Sequence, residues 1–343
     1  MLKPKRLNQL TIAKSLGVSR ATVSLVLRGG KGASEETSKK VLNMARKMGY
    51  RPNALVQGIR SGKSRSIGVL VPPHDSHWQA VCYGIHDRLM EAEHLPLFLW
   101  DTEHHTQSSE AYALEQINRL LDRWVDGVIL WPQFSTYYAR HLHEFQSRNI
   151  PLTIIDHAEQ ELDADTVYSD EAMIADLAAT HLASLGHRHF LNIQGPKNLG
   201  WADSRSNAVV KKLNSLRDIN VITIRPEFHT NVEQEITSTL RDHPYITAVI
   251  SGTDHLAKMA CNAAQNLGMS VPKQLSVIGV GDLNFAKTMT PALTTINQHG
   301  YDIGKKAAQL NLERSAGILT GPARHHKIPV SLVQRSSTAP AKS

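Results

Sequence analysis

The chain has 343 residues, of which 41% are hydrophobic and 20% are charged, and its formal net charge at pH 7 is +7. This composition is typical of globular proteins and excludes a disordered or fibrous chain, and the length predicts two or three domains. No apolar run is long enough to span a bilayer, no apolar signal core follows the basic residues 1–6, and two cysteines cannot build a disulfide framework. We therefore expect a cytoplasmic protein with reduced thiols and no membrane partner.

The positive charge is concentrated at the amino end of the chain. Residues 1–65 contain fifteen basic and two acidic side chains, a formal charge of +13, whereas the remaining residues carry −6. A basic head on an acidic body is typical of a protein that binds a polyanion such as nucleic acid. The alternative is a basic tail that only keeps the chain in solution, but the same segment also contains helix caps and helical periodicity.

The basic segment is predicted to form three short helices. Asn8 can cap the first helix, Gly17 breaks it, and Ser19 can cap a second helix over Arg20–Leu27. Ser34 can cap the third. Two helices joined by a tight turn form a helix-turn-helix unit, whose second helix enters the major groove of DNA.

From residue 66 onward, short apolar runs alternate with helical stretches, which predicts parallel sheets covered by helices. The predicted strands form two successive sets, which are Ile67–Val71, Leu95–Leu99, Val125–Leu130 and Leu152–Ile155, and then Phe190–Ile193, Val221–Ile224, Ala248–Ile250 and Leu275–Val280. Two sets predict two similar lobes. Ligands of such sheets bind beyond the carboxyl ends of the strands, so the residues that follow each strand are candidates for a cleft.

Large or acidic side chains occur at several of these strand ends. Trp100, Trp131 and Asp156 follow the second, third and fourth predicted strands, and Trp78 begins the helix after the first. Indole rings suit the apolar face of a sugar, so we predict that they line a ligand cleft. The alternative is that the tryptophans cover the surface of a lobe or form a dimer contact.

Ordered motifs over nearly the whole chain match one family. They are residues 10–24, 49–55, 59–64, 67–71, 125–130, 150–156, 181–188, 271–279, 291–296 and 335–338. With these motifs the chain resembles the LacI/GalR family of bacterial repressors. The resemblance implies an α/β protein in which an all-α helix-turn-helix domain (1–50) and a hinge helix or linker (51–65) precede a two-lobed, periplasmic-binding-protein-like core with parallel sheets (66–343). Lobe one would comprise about 66–164 plus 297–325, and lobe two about 165–296 plus 326–343.

The resemblance also implies which residues contact DNA. Arg20 and Ala21 occupy the positions that select base pairs, and the Arg20 guanidinium can donate two hydrogen bonds to guanine. A phosphate contact is the alternative for Arg20. Ile59 stands at the position that wedges a base step from a hinge that folds on DNA, for which a plain flexible linker is the alternative. The predicted DNA-binding set is Asn8, Ser19, Arg20, Ala21, Thr22, Ser24, Leu25, Arg28, Asn53, Gln57 and Ile59.

In the core, the resemblance implies that Arg205 and Asp156 contact a small-molecule effector. The chain departs from the family at two places, because Thr253 replaces the usual Asn or Ser and Gly281 replaces an acid that often holds sugar hydroxyls. We therefore expect an effector that is not held in the commonest sugar manner, or no effector. The predicted effector-binding set is Trp78, Trp100, Trp131, Asp156, Arg205, Thr253 and Gly281.

These expectations together predict a DNA-binding transcriptional repressor. It would bind a pseudo-palindromic operator as a homodimer and respond to a sugar or related metabolite between the lobes. No phosphate-binding loop, dinucleotide fingerprint, zinc-protease motif or nucleophile elbow occurs, so we expect no enzyme, no cofactor and no metal. The open alternatives are a sugar-type solute receptor without DNA function, a regulator without an effector, and an enzyme on the same fold.

Overall fold

The computed structural model of the protein describes residues 8–51, 58, 62–71, 73–100, 110–131, 144–156, 163–197, 199–227 and 231–341. The chain divides into two compact units, Met1–Ser64 and Arg65–Ser343. The first is helical and the second combines strands with helices. The predicted change of class near residue 65 therefore coincides with a change in packing.

The first unit contains the three predicted helices, α1 (Gln9–Leu16), α2 (Arg20–Leu27) and α3 (Glu35–Lys47). Side-chain oxygens of Asn8 and Ser19 accept the predicted capping hydrogen bonds from the backbone N–H groups of Thr11 and Thr22. Gly17 has a φ of 64°, in the left-handed region that glycine tolerates, so the chain turns there and α1 and α2 lie 113° apart. No single described helix is long and apolar enough to cross a bilayer, although this bent pair passes that test jointly. The core of the unit consists of Ile12, Ala13, Val23, Val26, Val41 and Ala45.

The second unit is built on two six-stranded sheets. The first sheet has the order β11-β5-β4-β3-β1-β2 and all its pairs are parallel. The second has the order β12-β10-β9-β8-β6-β7 and is parallel except for the antiparallel pair of β12 with β10. The strands are β1 (Ser66–Leu70), β2 (Leu95–Phe98), β3 (Gly127–Leu130), β4 (Leu152–Ile155), β5 (Asp165–Ser169), β6 (His189–Ile193), β7 (Asn220–Ile224), β8 (Ala248–Ser251), β9 (Ser276–Val280), β10 (Thr294–Asn297), β11 (His325–Ile328) and β12 (Ser331–Val333).

Helices pack against these sheets and connect their strands. They are α4 (Ser76–Glu91), α5 (Glu110–Leu121), α6 (Glu171–Ser184), α7 (Gly200–Asn214), α8 (Val232–Asp242), α9 (Asp254–Asn266) and α10 (Gly300–Ser315). Two of them, α4 and α10, approach each other at glycines. A Cβ added to Gly304 would overlap the carbonyl oxygen of Val81, and one added to Gly84 would overlap that of Tyr301. Only glycine allows this approach, which brings the middle of α4 into close contact with α10.

The predicted lobe boundaries are wrong at two places. β5 pairs with β4 through Thr153 and Asp165, so the first sheet continues past the expected break after residue 164. β11 pairs with β5, so residues 325–328 lie in the first sheet rather than partly in the second lobe. The strand pattern missed β5 because it begins with Asp165 and Thr166, which are polar yet buried. Asp165 can be buried because the Arg314 guanidinium donates two hydrogen bonds of 2.8 Å to its carboxylate.

Candidate functional site

The amino end of α2 presents the predicted base-reading residues to solvent. Arg20 and Ala21 are exposed, and no described residue forms an ion pair or hydrogen bond with the Arg20 guanidinium. Ser19 Oγ lies 3.0 Å from the Thr22 backbone nitrogen and 2.9 Å from Thr22 Oγ1. This contact fixes the start of the helix, from which Arg20 is free to donate to a ligand.

The remaining predicted DNA-binding residues of this unit differ in their availability. Ser24 is only 8% exposed, and Leu25 is half-buried against the loop at Gly30. Arg28 is exposed, but its Nε donates to the Ser24 carbonyl at 2.9 Å and so satisfies the end of α2. Asn8 is exposed and caps α1. Asn53, Gln57 and Ile59 lie outside the described residues.

The second unit contains a cavity of about 440 Å³, a volume within the range of small-molecule sites. It lies beyond the carboxyl ends of strands from both sheets, as the strand-end rule predicts. From the first sheet it is lined by Trp131, which follows β3, and by Asp156, which follows β4. From the second sheet it is lined by residues that directly or closely follow β6, β8, β9 and β10, which are Gln194, Thr253, Gly281 and Gln298.

Six of the seven predicted effector residues line this cavity, and the prediction for Trp100 is wrong. Trp100 is 50% exposed and lies beside Phe98, after β2, which is the edge strand of the first sheet. Trp201, at the start of α7, lines the cavity and was missed. Gln194 and Gln298 were missed as well, although each directly follows a strand. The strand-end rule applied to the predicted strand Phe190–Ile193 would have found Gln194, whereas Gln298 follows β10, a strand that the sequence pattern did not predict.

One wall of the cavity is aromatic. The rings of Trp78 and Trp131 have centroids 5.1 Å apart at an interplanar angle of 56°, and His77 lies edge-on to Trp78 at 5.2 Å. The Trp131 Nε1 atom is buried and has no hydrogen-bond partner among the described residues. A ligand that reaches this wall meets apolar ring faces.

Arg205 is held by the protein itself. Its Nε and Nη2 donate to the two carboxylate oxygens of Glu171 at 2.8 and 2.7 Å, and its Nη1 donates to the Gly252 carbonyl at 2.7 Å. Burial opposes the charge, but the carboxylates of Glu171 and Asp156 raise the pKa of Arg205 above its ordinary value. Trp201 stacks on the guanidinium at 5.4 Å. Because a guanidinium has five N–H donors, only two are left for a ligand.

Asp156 and His77 also line the cavity. Asp156 has a φ of 63°, a left-handed conformation that is costly for a residue with a side chain. No described residue donates a hydrogen bond to its carboxylate. Burial lowers the pKa of His77, although Asp156 and Asp75 oppose that shift, so His77 is neutral at pH 7.

The two positions at which the chain departs from the family have structural roles. Gly281 has a φ of 133°, which L side chains rarely adopt, and an added Cβ would lie 3.3 Å from Leu283 Cγ. Thr253 caps α9 by accepting a hydrogen bond from the Leu256 backbone nitrogen at 3.2 Å. Both residues therefore shape the cavity wall through the backbone.

Asp254 is expected to make the stability of the core depend on pH. Burial raises its pKa from 3.8 to about 6, against hydrogen bonds from Thr295 Oγ1 and the Leu283 backbone nitrogen. A raised folded-state pKa gives a stabilisation that is complete below pH 3.8 and is lost as pH rises through about 6. This loss is about 3 kcal/mol for two pKa units.

Asp254→Asn removes this titration. As pH rises from 4 to 7, the wild type should lose this contribution and the variant should not, so the free energy of unfolding of the variant should rise relative to that of the wild type. Urea denaturation followed by tryptophan fluorescence measures both. The matched control is Asp176→Asn, an exposed carboxylate paired with Lys212, which should leave the profile nearly unchanged. Parallel profiles for wild type and Asp254→Asn would contradict the role of Asp254.

A family model matches residues in each of the two units. Residues 11–53 match the family model described as bacterial regulatory proteins, lacI family, and residues 179–338 match a periplasmic binding protein-like domain. The chain therefore combines a LacI-family helix-turn-helix domain with a periplasmic-binding-protein-like domain. Among its relatives, the ribose operon repressor of Halalkalibacterium halodurans is 27% identical over 328 residues, which cover 95% of the chain and 96% of the relative.

Solved structures share the fold of this chain. The lac repressor dimer bound to operator and the anti-inducer ONPF has a TM-score of 0.85 at 24% identity, covering 98% of the chain and 100% of that structure. A LacI family transcriptional regulator from Enterococcus faecium with bound ribose has a TM-score of 0.68 at 27% identity, covering 81% and 100%. The predicted combination of a helix-turn-helix domain with a two-lobed α/β core is thus confirmed.

Proposed function

We propose that this chain is a sequence-specific transcriptional repressor that binds a pseudo-palindromic operator as a homodimer. The observation that carries the proposal is Arg20, an exposed arginine that lies at the amino end of a capped helix and pairs with no residue the structure describes. The formal charge of +13 over residues 1–65 supplies the attraction to phosphate. The names of similar proteins support the proposal, since one relative is a ribose operon repressor and one similar structure is the lac repressor dimer bound to operator.

This proposal assigns a role to each of the three segments of the chain. Residues 1–50 bind the major groove, residues 51–65 form the hinge, and residues 66–343 bind an effector and dimerise. In each half-site α2 lies in the major groove, where Arg20 donates to guanine O6 and N7 and Ser19 and Thr22 bond phosphate oxygens. Asn53, Gln57 and Ile59 contact the operator centre from the hinge.

The effector is a sugar or related metabolite bound in the cavity of the core. It contacts Trp78, Trp131, Asp156, Arg205, Thr253 and Gly281. A ligand that binds one arrangement of the lobes more tightly than another changes the operator affinity by that difference in binding free energy. In this proposal the chain has no enzymatic activity and acts in the cytoplasm, because its partner is chromosomal DNA.

A salt titration of DNA binding tests this function. A protein that neutralises about 6–10 phosphates loses about 10³–10⁵-fold in affinity between about 50 and 200 mM salt. We expect a loss of that size for the full chain on double-stranded DNA, measured by fluorescence anisotropy. Binding that is absent, or that is independent of salt, would contradict the repressor and leave the solute receptor, which needs only the core.

A further inference from the structure

The charges around the cavity do not balance. Among the lining residues that the structure describes, Asp75 and Asp156 carry negative charge and Arg205 carries positive charge. The positive charge is already neutralised, because Glu171 accepts two hydrogen bonds from Arg205 behind the cavity wall. Arg205 also interacts with Asp156, but this one guanidinium faces three carboxylates, those of Glu171, Asp156 and Asp75, so the described groups at the cavity carry more negative than positive charge at neutral pH.

His77 does not supply a balancing cation at neutral pH. Burial lowers the pKa of His77, so it is uncharged there. His255 is exposed, and its Nε2 atom lies 3.9 Å from a carboxylate oxygen of Asp75. His74 is also exposed. The imbalance therefore persists over the pH range in which imidazoles are neutral.

The two aspartates differ in what they already bind. Asp75 caps α4 by accepting hydrogen bonds from the backbone nitrogens of His77 and Trp78 at 2.9 and 3.1 Å, so the helix terminus stabilises its charge. Asp156 accepts no hydrogen bond from a described residue and is held in a left-handed conformation. Such strain is concentrated at ligand-binding sites, and an unused carboxylate is a strong acceptor for a charged donor.

The aromatic wall favours the same kind of ligand. The faces of aromatic rings carry partial negative charge and attract cations, most strongly for tryptophan. Trp201 already stacks on Arg205, but the pair formed by Trp78 and Trp131 is not occupied by a described cation. A cationic ring compound would therefore gain from both the carboxylates and the ring faces.

We propose that the cavity binds an organic cation, a ring compound with a protonated amine that donates to Asp156 while its ring lies on Trp78 and Trp131. Phosphorylated and carboxylated ligands are rejected, because the only arginine among the described lining residues is already paired with Glu171. This inference rests on the proposed function only in taking the cavity as the effector site.

Isothermal titration calorimetry of the full chain at pH 7.5 with two charge-matched probe sets tests the proposal. One set is D-glucosamine, D-glucose and D-glucuronate, and the other is tryptamine, tryptophol and indole-3-acetate. In at least one set we expect the cation to bind about tenfold or more tightly than the neutral probe, as a charged hydrogen bond provides, and the anion to bind weakest. The proposal is overturned if the neutral or anionic probe binds as tightly as the cation in both sets, or if neither cation binds at millimolar concentration.

Asp156→Asn tests whether the preference for the cation depends on the Asp156 carboxylate. Asparagine tolerates a positive φ and keeps the shape of the side chain, so the fold should persist while the preference for the cation over the neutral probe falls about tenfold or more. Asp176→Asn removes the same charge from an exposed site and should leave that preference unchanged. Equal effects of the two variants would assign the preference to overall charge and overturn the role of Asp156.

Operator binding by the same preparations separates this inference from the proposed function. If the cations bind and no salt-dependent DNA binding occurs, the ligand class holds and the repressor function fails. If DNA binds and the cations do not, the repressor function holds and the ligand class fails.

Discussion

Arg205→Leu is expected to lower the free energy of unfolding of the core by about 3–5 kcal/mol, as is typical when one partner of a buried ion pair is removed. The side chains of Arg205 and Glu171 are only 3% and 13% exposed. Without the guanidinium, Glu171 loses both of its hydrogen bonds from Arg205, and the Gly252 carbonyl loses a third. An arginine that family resemblance assigns to the effector is therefore expected to stabilise the fold as well.

Urea denaturation followed by tryptophan fluorescence measures this loss. All five tryptophans lie within Arg65–Ser343, so the signal reports on that unit. The control is Glu171→Gln in the Arg205→Leu background, which removes the unpaired carboxylate and should recover a large part of the loss. A loss below about 1 kcal/mol for Arg205→Leu would show that the pair contributes no more than an exposed salt bridge.

Arg20→Ala is expected to weaken operator binding by about 1–3 kcal/mol per half-site, and by about twice that for a dimer on a full operator. The preference at one base pair of each half-site should be relaxed at the same time. This follows from the exposed guanidinium at the start of α2, which forms no ion pair with a described residue. Binding to the operator and to each single-base variant, at fixed salt, measures both effects.

Lys39→Ala is the matched control for Arg20→Ala. It removes the same charge from α3, where Lys39 is exposed and pairs with Glu35 at 2.8 Å. Lys39→Ala should affect all DNA sequences alike and only slightly. If Arg20→Ala also weakens every sequence by the same factor, Arg20 binds phosphate rather than a base.

The sequence predicts the helical unit and most strands of the core because local signals determine them. α2 has the predicted bounds, and Gly17 turns the chain where a left-handed residue was needed. The missed strands β5, β10, β11 and β12 contain polar or short segments without a continuous apolar run. They are strands because neighbouring strands and buried pairs such as Asp165 with Arg314 hold them, which no local window contains.

The candidate site was predictable where it depends on strand order and unpredictable where it depends on tertiary pairing. The strand-end rule located Trp131 and Asp156, but it failed at Trp100 because the sequence does not show that β2 is an edge strand. The pairing of Arg205 with Glu171 joins residues 34 positions apart on different helices. The sequence therefore predicts an arginine in the cleft but not that its charge is already neutralised.

Selection and sequencing of the genomic fragments that the purified full chain retains tests the central claim most directly. At physiological salt the account predicts a palindromic motif whose two half-sites each contain a guanine that loses its enrichment in Arg20→Ala. Retained fragments without a common motif, or no retention at that salt, would contradict a sequence-specific repressor.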